Sequence, residues 1–96
     1  MSKAKLILHE KQVQEDGSII EVKMWSVPPG SRQQHGIKYS LVYIRGGKRV
    51  LGYDNAHGPH HRHYMGDSEI CTFKNLQALL RDFRRDLDRM KQEEQK

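Results

Sequence analysis

Four of the six histidines of this 96-residue chain stand within seven consecutive residues of the stretch "GYDNAHGPHHRHY", Gly52 to Tyr64, beside Tyr53, Asp54, Asn55 and Arg62. Imidazole titrates nearest to neutral pH of all side chains, so two of them can take and give protons in one reaction without a cofactor. Such a set suits the cleavage of RNA through its own 2′-hydroxyl. One group removes that proton, another protonates the departing 5′-oxygen, and a cation steadies the charge gathering on phosphorus. In an extended segment residues two apart point the same way, so His61 and His63 share one face while His60 and Arg62 share the other. On this reading His61 and His63 transfer protons, His60 is a further candidate, Arg62 holds phosphate bidentately and Asp54 fixes the tautomer of one ring. The sequence does not assign acid and base among them.

Two other readings compete. His61 and His63 can both reach one divalent metal ion, with His57 or Asp54 as a third ligand. Against this, the stretch lacks the paired cysteines of a structural zinc site and the helical His-Glu-x-x-His of a hydrolase, and the positive charge around it does not favour a cation. The bland alternative is a polar surface loop. That reading must explain why a loop gathers four imidazoles that repel one another whenever more than one is protonated.

The residues around the cluster supply attraction for a polyanion. The formal charge is +5, and between Val22 and Tyr53 there are six basic residues (Lys23, Arg32, Lys38, Arg45, Lys48 and Arg49) and no acidic one. Clustered cations draw phosphate and release its counterions. Lys38, Arg45, Lys48 and Arg49, with Tyr53 and Asn55, are therefore the candidate RNA-binding residues, and the expected partner is RNA. Tyr39, Tyr43 and Tyr53 can stack on bases, although aromatics in strands more commonly pack a core. Trp25 reads as packing, and Cys71 as a small apolar residue with nothing nearby to activate it. No cofactor is required by the proton-transfer reading; a divalent metal ion is the alternative.

Ninety-six residues fit one domain, and 35% apolar with 30% charged residues fit a globular chain better than a disordered one. The lone Cys71 cannot form an internal disulfide, and neither a leader peptide nor an apolar run of about eighteen residues stands out. The expectation is a cytoplasmic protein with no membrane partner; a homo-oligomer is left open.

The elements that must position the cluster follow from periodicity. "AKLILH" and the alternating "SIIEVKMWSV" flank Asp16-Gly17, a hairpin signal, so residues 1–26 form a first hairpin with Ile20, Val22 and Met24 on one face and Ile19, Glu21, Lys23 and Trp25 on the other. Pro28 to Gly36 is irregular. "IKYSLVYIRGGKRVLGYDN", residues 37–55, is a second hairpin folded at Gly46-Gly47, and 56–66 is the histidine-rich segment. "SEICTF" can add a fifth strand. From 75 to 92, Leu76, Leu79, Leu80, Phe83, Leu87 and Met90 lie on one helical stripe behind Asn75 as N-cap. The fold expected is α+β: an antiparallel sheet of four to five strands packed against one C-terminal helix.

Taken in order, "LHEKQVQEDGSIIEVKMW", "KYSLVYIRGGKRVLGYDNAHG", "HHRH" and "FKNLQALLRDFRRDL" resemble the TumE-like family of small prokaryotic toxins of type II toxin–antitoxin pairs. The resemblance runs from about Leu6 to Leu87. It is most specific at the "YDN" of Tyr53 to Asn55, at His60 to His63 and in the helix that follows. It implies a cognate antitoxin, expected to be a helix-turn-helix DNA-binding protein, and it points to Tyr53, Asp54, Asn55, His60, His61, Arg62 and His63. A ribonuclease is the activity expected of toxins of this size and charge. The Pro28 to His35 loop carries no motif of the family, and His57 is not tied to it.

Overall fold

Tight turns fold most of the chain back and forth on itself. The computed structural model describes residues 4–28, 36–55, 58–72 and 74–94. Within them lie β1 (Lys5–Val13), β2 (Ile19–Ser26), β3 (Ile37–Arg45), β4 (Lys48–Asp54), β5 (His60–Tyr64), β6 (Asp67–Cys71) and the helix α1 (Leu76–Glu94). The strands pair antiparallel in chain order as a six-stranded meander. The class is the α+β expected, with six strands where four to five were expected. The added one lies in the histidine segment, where His60–Tyr64 form β5.

Each turn has a local cause. At Asp16-Gly17 the Asp16 carboxylate accepts from the Ser18 N–H at 2.8 Å and the Ser18 hydroxyl at 2.6 Å, and these bonds hold Asp16 below the usual carboxylate range. Gly46 and Gly47 both take positive φ, 61° and 76°, as a two-residue hairpin of right-handed strand twist requires. Met65-Gly66 makes the same kind of turn between β5 and β6, with Met65 at φ 51°. Most of the Pro28–Gly36 loop lies outside the described residues; its ends are closed by the Val27 N–H donating to the Gly36 carbonyl at 2.9 Å.

Alternation then divides the sheet. Met24, Tyr39, Leu41, Tyr43, Leu51 and Tyr53 project to one face and pack against Leu79, Phe83, Leu87 and Met90 of α1. The helix begins where Asn75 Oδ1 accepts from the Ala78 N–H at 2.7 Å, the N-cap expected. Its buried stripe differs from expectation at three positions: Leu80 is 42% exposed, whereas Ala78 is buried and Asp86 is only 2% exposed. Asp86 follows Phe83 by three residues and so falls on the inward stripe, where a carboxylate needs partners. Among the described residues no helix is long and apolar enough to cross a membrane.

Candidate active site on the helix-free face

Cross-strand partners share a face, so the register lays out what opposes the core. Trp25 pairs with Lys38 from β2 to β3, Ser40 with Asp54 from β3 to β4, and Asp54 with His61 from β4 to β5. All five side chains lie opposite α1 and, with Arg49, His63 and Ser68, line an open cleft of about 460 Å³. His61 and His63, expected to share a face, do so: their rings stack nearly parallel, 6.2 Å between centroids and 17° between planes.

Each ring is held. His61 Nδ1 lies 3.0 Å from the Pro59 carbonyl, which can only accept, so Nδ1 carries the proton and Nε2 keeps its lone pair. His63 Nε2 lies 3.0 Å from Asp54 Oδ2, so Nε2–H donates to the carboxylate and Nδ1 faces away from it. Asp54 thus orients an imidazole, that of His63. The same Asp54 oxygen lies 3.9 Å from Arg49 Nη1. Arg49 reaches it across Gly52, where a Cβ would stand 3.0 Å from Arg49 Cδ. The missing side chain at Gly52 is what lets the guanidinium lie flat along the sheet toward the histidines.

The structure carries the other candidates elsewhere. Arg62 projects to the helix side, where its Nε donates to Asp86 Oδ2 at 2.8 Å and to the Tyr53 hydroxyl at 3.1 Å, and its Nη1 to Glu69 at 3.0 Å. Its guanidinium also lies 4.7 Å from the Tyr64 ring centroid. It is a half-buried tie between β5 and the buried Asp86 of α1, and the cleft's arginine is Arg49. Burial alone would raise Asp86, but the bonds from Arg62 and Tyr53 outweigh it and hold the carboxyl below its usual range. Burial and Asp86 push the Tyr53 phenol up, so it stays a neutral donor. Tyr53 is 2% exposed and sits edge-on to Phe83, which removes it from the surface on which RNA would lie.

His60 is buried beneath the sheet, where its Nδ1 shares a hydrogen bond with the Tyr39 hydroxyl and burial holds the ring below its usual titration range. Asn55 is buried too: its Oδ1 accepts from the Tyr39 N–H at 2.9 Å and its Nδ2 donates to the Ile37 carbonyl at 2.8 Å. It completes the ladder of β3 past the end of β4. Arg45 lines a groove with Met65, Met90 and Glu93 near the C-terminal end of α1, and Lys48 opens β4 beyond the two-glycine turn. Lys48 and Asp54 stand at opposite ends of that strand, about 20 Å apart at ordinary strand rise. The metal reading rests partly on His57, which lies outside the described residues; among those described, no group of three or more His, Cys, Asp or Glu is arranged to hold an ion. Burial raises the Cys71 thiol, which does not activate it.

Trp25, Ser40 and Ser68 are the cleft residues that the sequence reading missed. The strand pattern had placed Trp25 opposite Met24, but only the β2–β3 register brings it to Lys38 and the histidines. Against known families, the chain matches the family model described as toxin TumE over residues 3–91. No curated protein and no solved structure matches it.

Proposed function

The chain belongs to the TumE toxin family, and we propose that it acts as the toxin of a toxin–antitoxin pair by cutting cellular RNA, with His61 and His63 as its proton-transfer groups. The observation that carries this reading is the stacked His61–His63 pair, one ring tied to a carbonyl and the other to Asp54, in a cleft that also holds Lys38 and Arg49.

A phosphodiester seated over the two rings meets a different tool on each side. His61 Nε2, whose lone pair is free once Nδ1 donates to Pro59, takes the proton from the ribose 2′-hydroxyl. The 2′-oxygen attacks phosphorus, and the bond to the 5′-oxygen breaks. That oxygen leaves with the proton of His63 Nδ1–H, while Asp54 accompanies the positive charge of the ring that supplies it. The products are a 2′,3′-cyclic phosphate and a free 5′-hydroxyl. Arg49 and Lys38 stand where cations can balance the charge on the phosphate oxygens. The cognate antitoxin, in this reading a helix-turn-helix DNA-binding protein, keeps the toxin silent, and the target RNA is cytoplasmic.

The test is purified protein with end-labelled RNA in the presence of EDTA. Cleavage leaving 2′,3′-cyclic phosphate ends, with His61→Ala and His63→Ala each slower by about 100- to 10,000-fold, is the expected result. Undiminished cleavage, or undiminished growth arrest in cells lacking the antitoxin, from a folded double variant removes the assignment. RNA retained but uncut makes the protein a binding module. Cleavage that EDTA abolishes turns the histidines, with His57, toward a metal ion.

A further inference from the structure

We infer that Trp25 is a base-stacking platform, and that the cleft therefore takes single-stranded RNA, gripping an unpaired base beside the phosphate held by His61 and His63. The inference rests on the ribonuclease reading for its substrate, but its own support is separate. Trp25 is the chain's one tryptophan, and it is not among the side chains packed in the core. It stands half-buried on the face opposite α1, lining the same cleft as His61 and His63. Lys38 Nζ lies 5.3 Å from its ring centroid.

A large aromatic on the solvent side of a sheet, beside a cation and in one cleft with two imidazoles, adds little to the core. It does offer a π-face to any base, and every base has one. Magnitudes decide whether Lys38 blocks that face. A cation–π contact at an exposed site is worth about 0.5–1 kcal/mol, whereas stacking a base on an aromatic side chain is worth about 1–3 kcal/mol. The base displaces the ammonium, and the flexible Lys38 stem then carries its charge to the phosphate of the same nucleotide. Trp25 on β2 and His61 on β5 are three strand spacings apart, about 14 Å, so the stacked base belongs to a nucleotide next to the scissile one. Bases of a duplex are stacked inside and cannot reach the ring.

The sole tryptophan reports on itself. An oligoribonucleotide methylated at every 2′-oxygen cannot be cut through that oxygen, so it separates binding from cleavage. Single-stranded probe is expected to quench the tryptophan emission; the same sequence as a duplex is expected to leave it unchanged. Trp25→Ala should weaken binding, followed by anisotropy of a labelled probe, by about 5- to 150-fold, and Trp25→Phe should restore most of it and guard against misfolding of the alanine variant. Binding without quenching, equal quenching by duplex, or equal affinity of Trp25→Ala overturns the inference. Quenching by probe together with intact, uncut natural RNA leaves the stacking site standing and removes only the nuclease.

Discussion

His60 and His61 are neighbours in the chain, yet the period of a strand sends one ring beneath the sheet and the other into the cleft. That single step separates an imidazole of the core side from one that lines the cleft. His60 is buried, bonded to Tyr39, and held below its usual titration range by burial, which outweighs the opposite pull of Asp82 and Asp54. The consequence is a pH dependence of stability. Above the unfolded value of 6.5 the ring is neutral in both states, so it adds no slope. As pH falls through that value the unfolded chain takes a proton that the folded one refuses, and stability drops until the lower folded value is reached. Urea midpoints of the native chain should fall between pH 7 and pH 5, with this site adding at most about 1.4 kcal/mol per pH unit. His60→Gln, which keeps a hydrogen-bonding group beside Tyr39, should flatten the dependence. An unchanged slope in that variant would assign the effect to other groups.

Among the elements, β5 and α1 are joined by charge as well as by packing. Arg62, Asp86 and Tyr53 form a triad between them in which Asp86 and Tyr53 are buried and Arg62 half-buried, with Tyr53 donating to Asp86 at 2.5 Å. Asp86→Ala removes the partner that Arg62 and Tyr53 share, while Arg62 keeps Glu69 and some contact with water, so the change should cost about 1.5–3 kcal/mol in denaturant unfolding. Replacing the pair with apolar side chains, Arg62→Met with Asp86→Leu, should recover most of that loss. The double variant should also keep RNA cleavage, because Arg62 does not face the cleft; loss of cleavage at retained stability would return Arg62 to the reaction. The hairpins at Asp16-Gly17 and Gly46-Gly47 and the helix behind Asn75 were legible in sequence because each carries a residue whose backbone or side chain is specific to that geometry. The Met65-Gly66 turn was not, since methionine rarely accepts positive φ and so gives no signal there. Nor was the roster of the site wholly legible. The period of two separated His61 and His63 from His60 and Arg62, but a charged Arg62 reads as a surface residue until a buried Asp86, distant in sequence, is seen to need it.

At the scale of the whole molecule, one helix on one side of a meander leaves the other side of the sheet without a helix among the described residues. The basic run between Val22 and Tyr53 is sorted by the same alternation. Lys23, Lys38 and Arg49 take the helix-free face, and Lys23 is partly engaged there by Glu21 at 3.9 Å. Arg45 goes to the helix side and Lys48 to the far end of its strand. The sequence could count these cations but not sort them, because the bulge between Tyr43 and Ile44 shifts the register of β4 and decides the side on which Arg49 emerges. The sorting has a measurable electrostatic consequence. Each phosphate neutralised on a single strand contributes a slope of about −0.7 to log affinity against log salt. For the uncleavable probe, Lys38→Gln and Arg49→Gln should therefore each reduce the slope by about 0.7, and the two should add, since the residues are on different strands. Lys48→Gln, with the same change of net charge, should leave the slope as it is. Equal losses from all three variants would mean that RNA responds to the total charge of the protein and not to a cleft, and the placement of the site on this face would then fall.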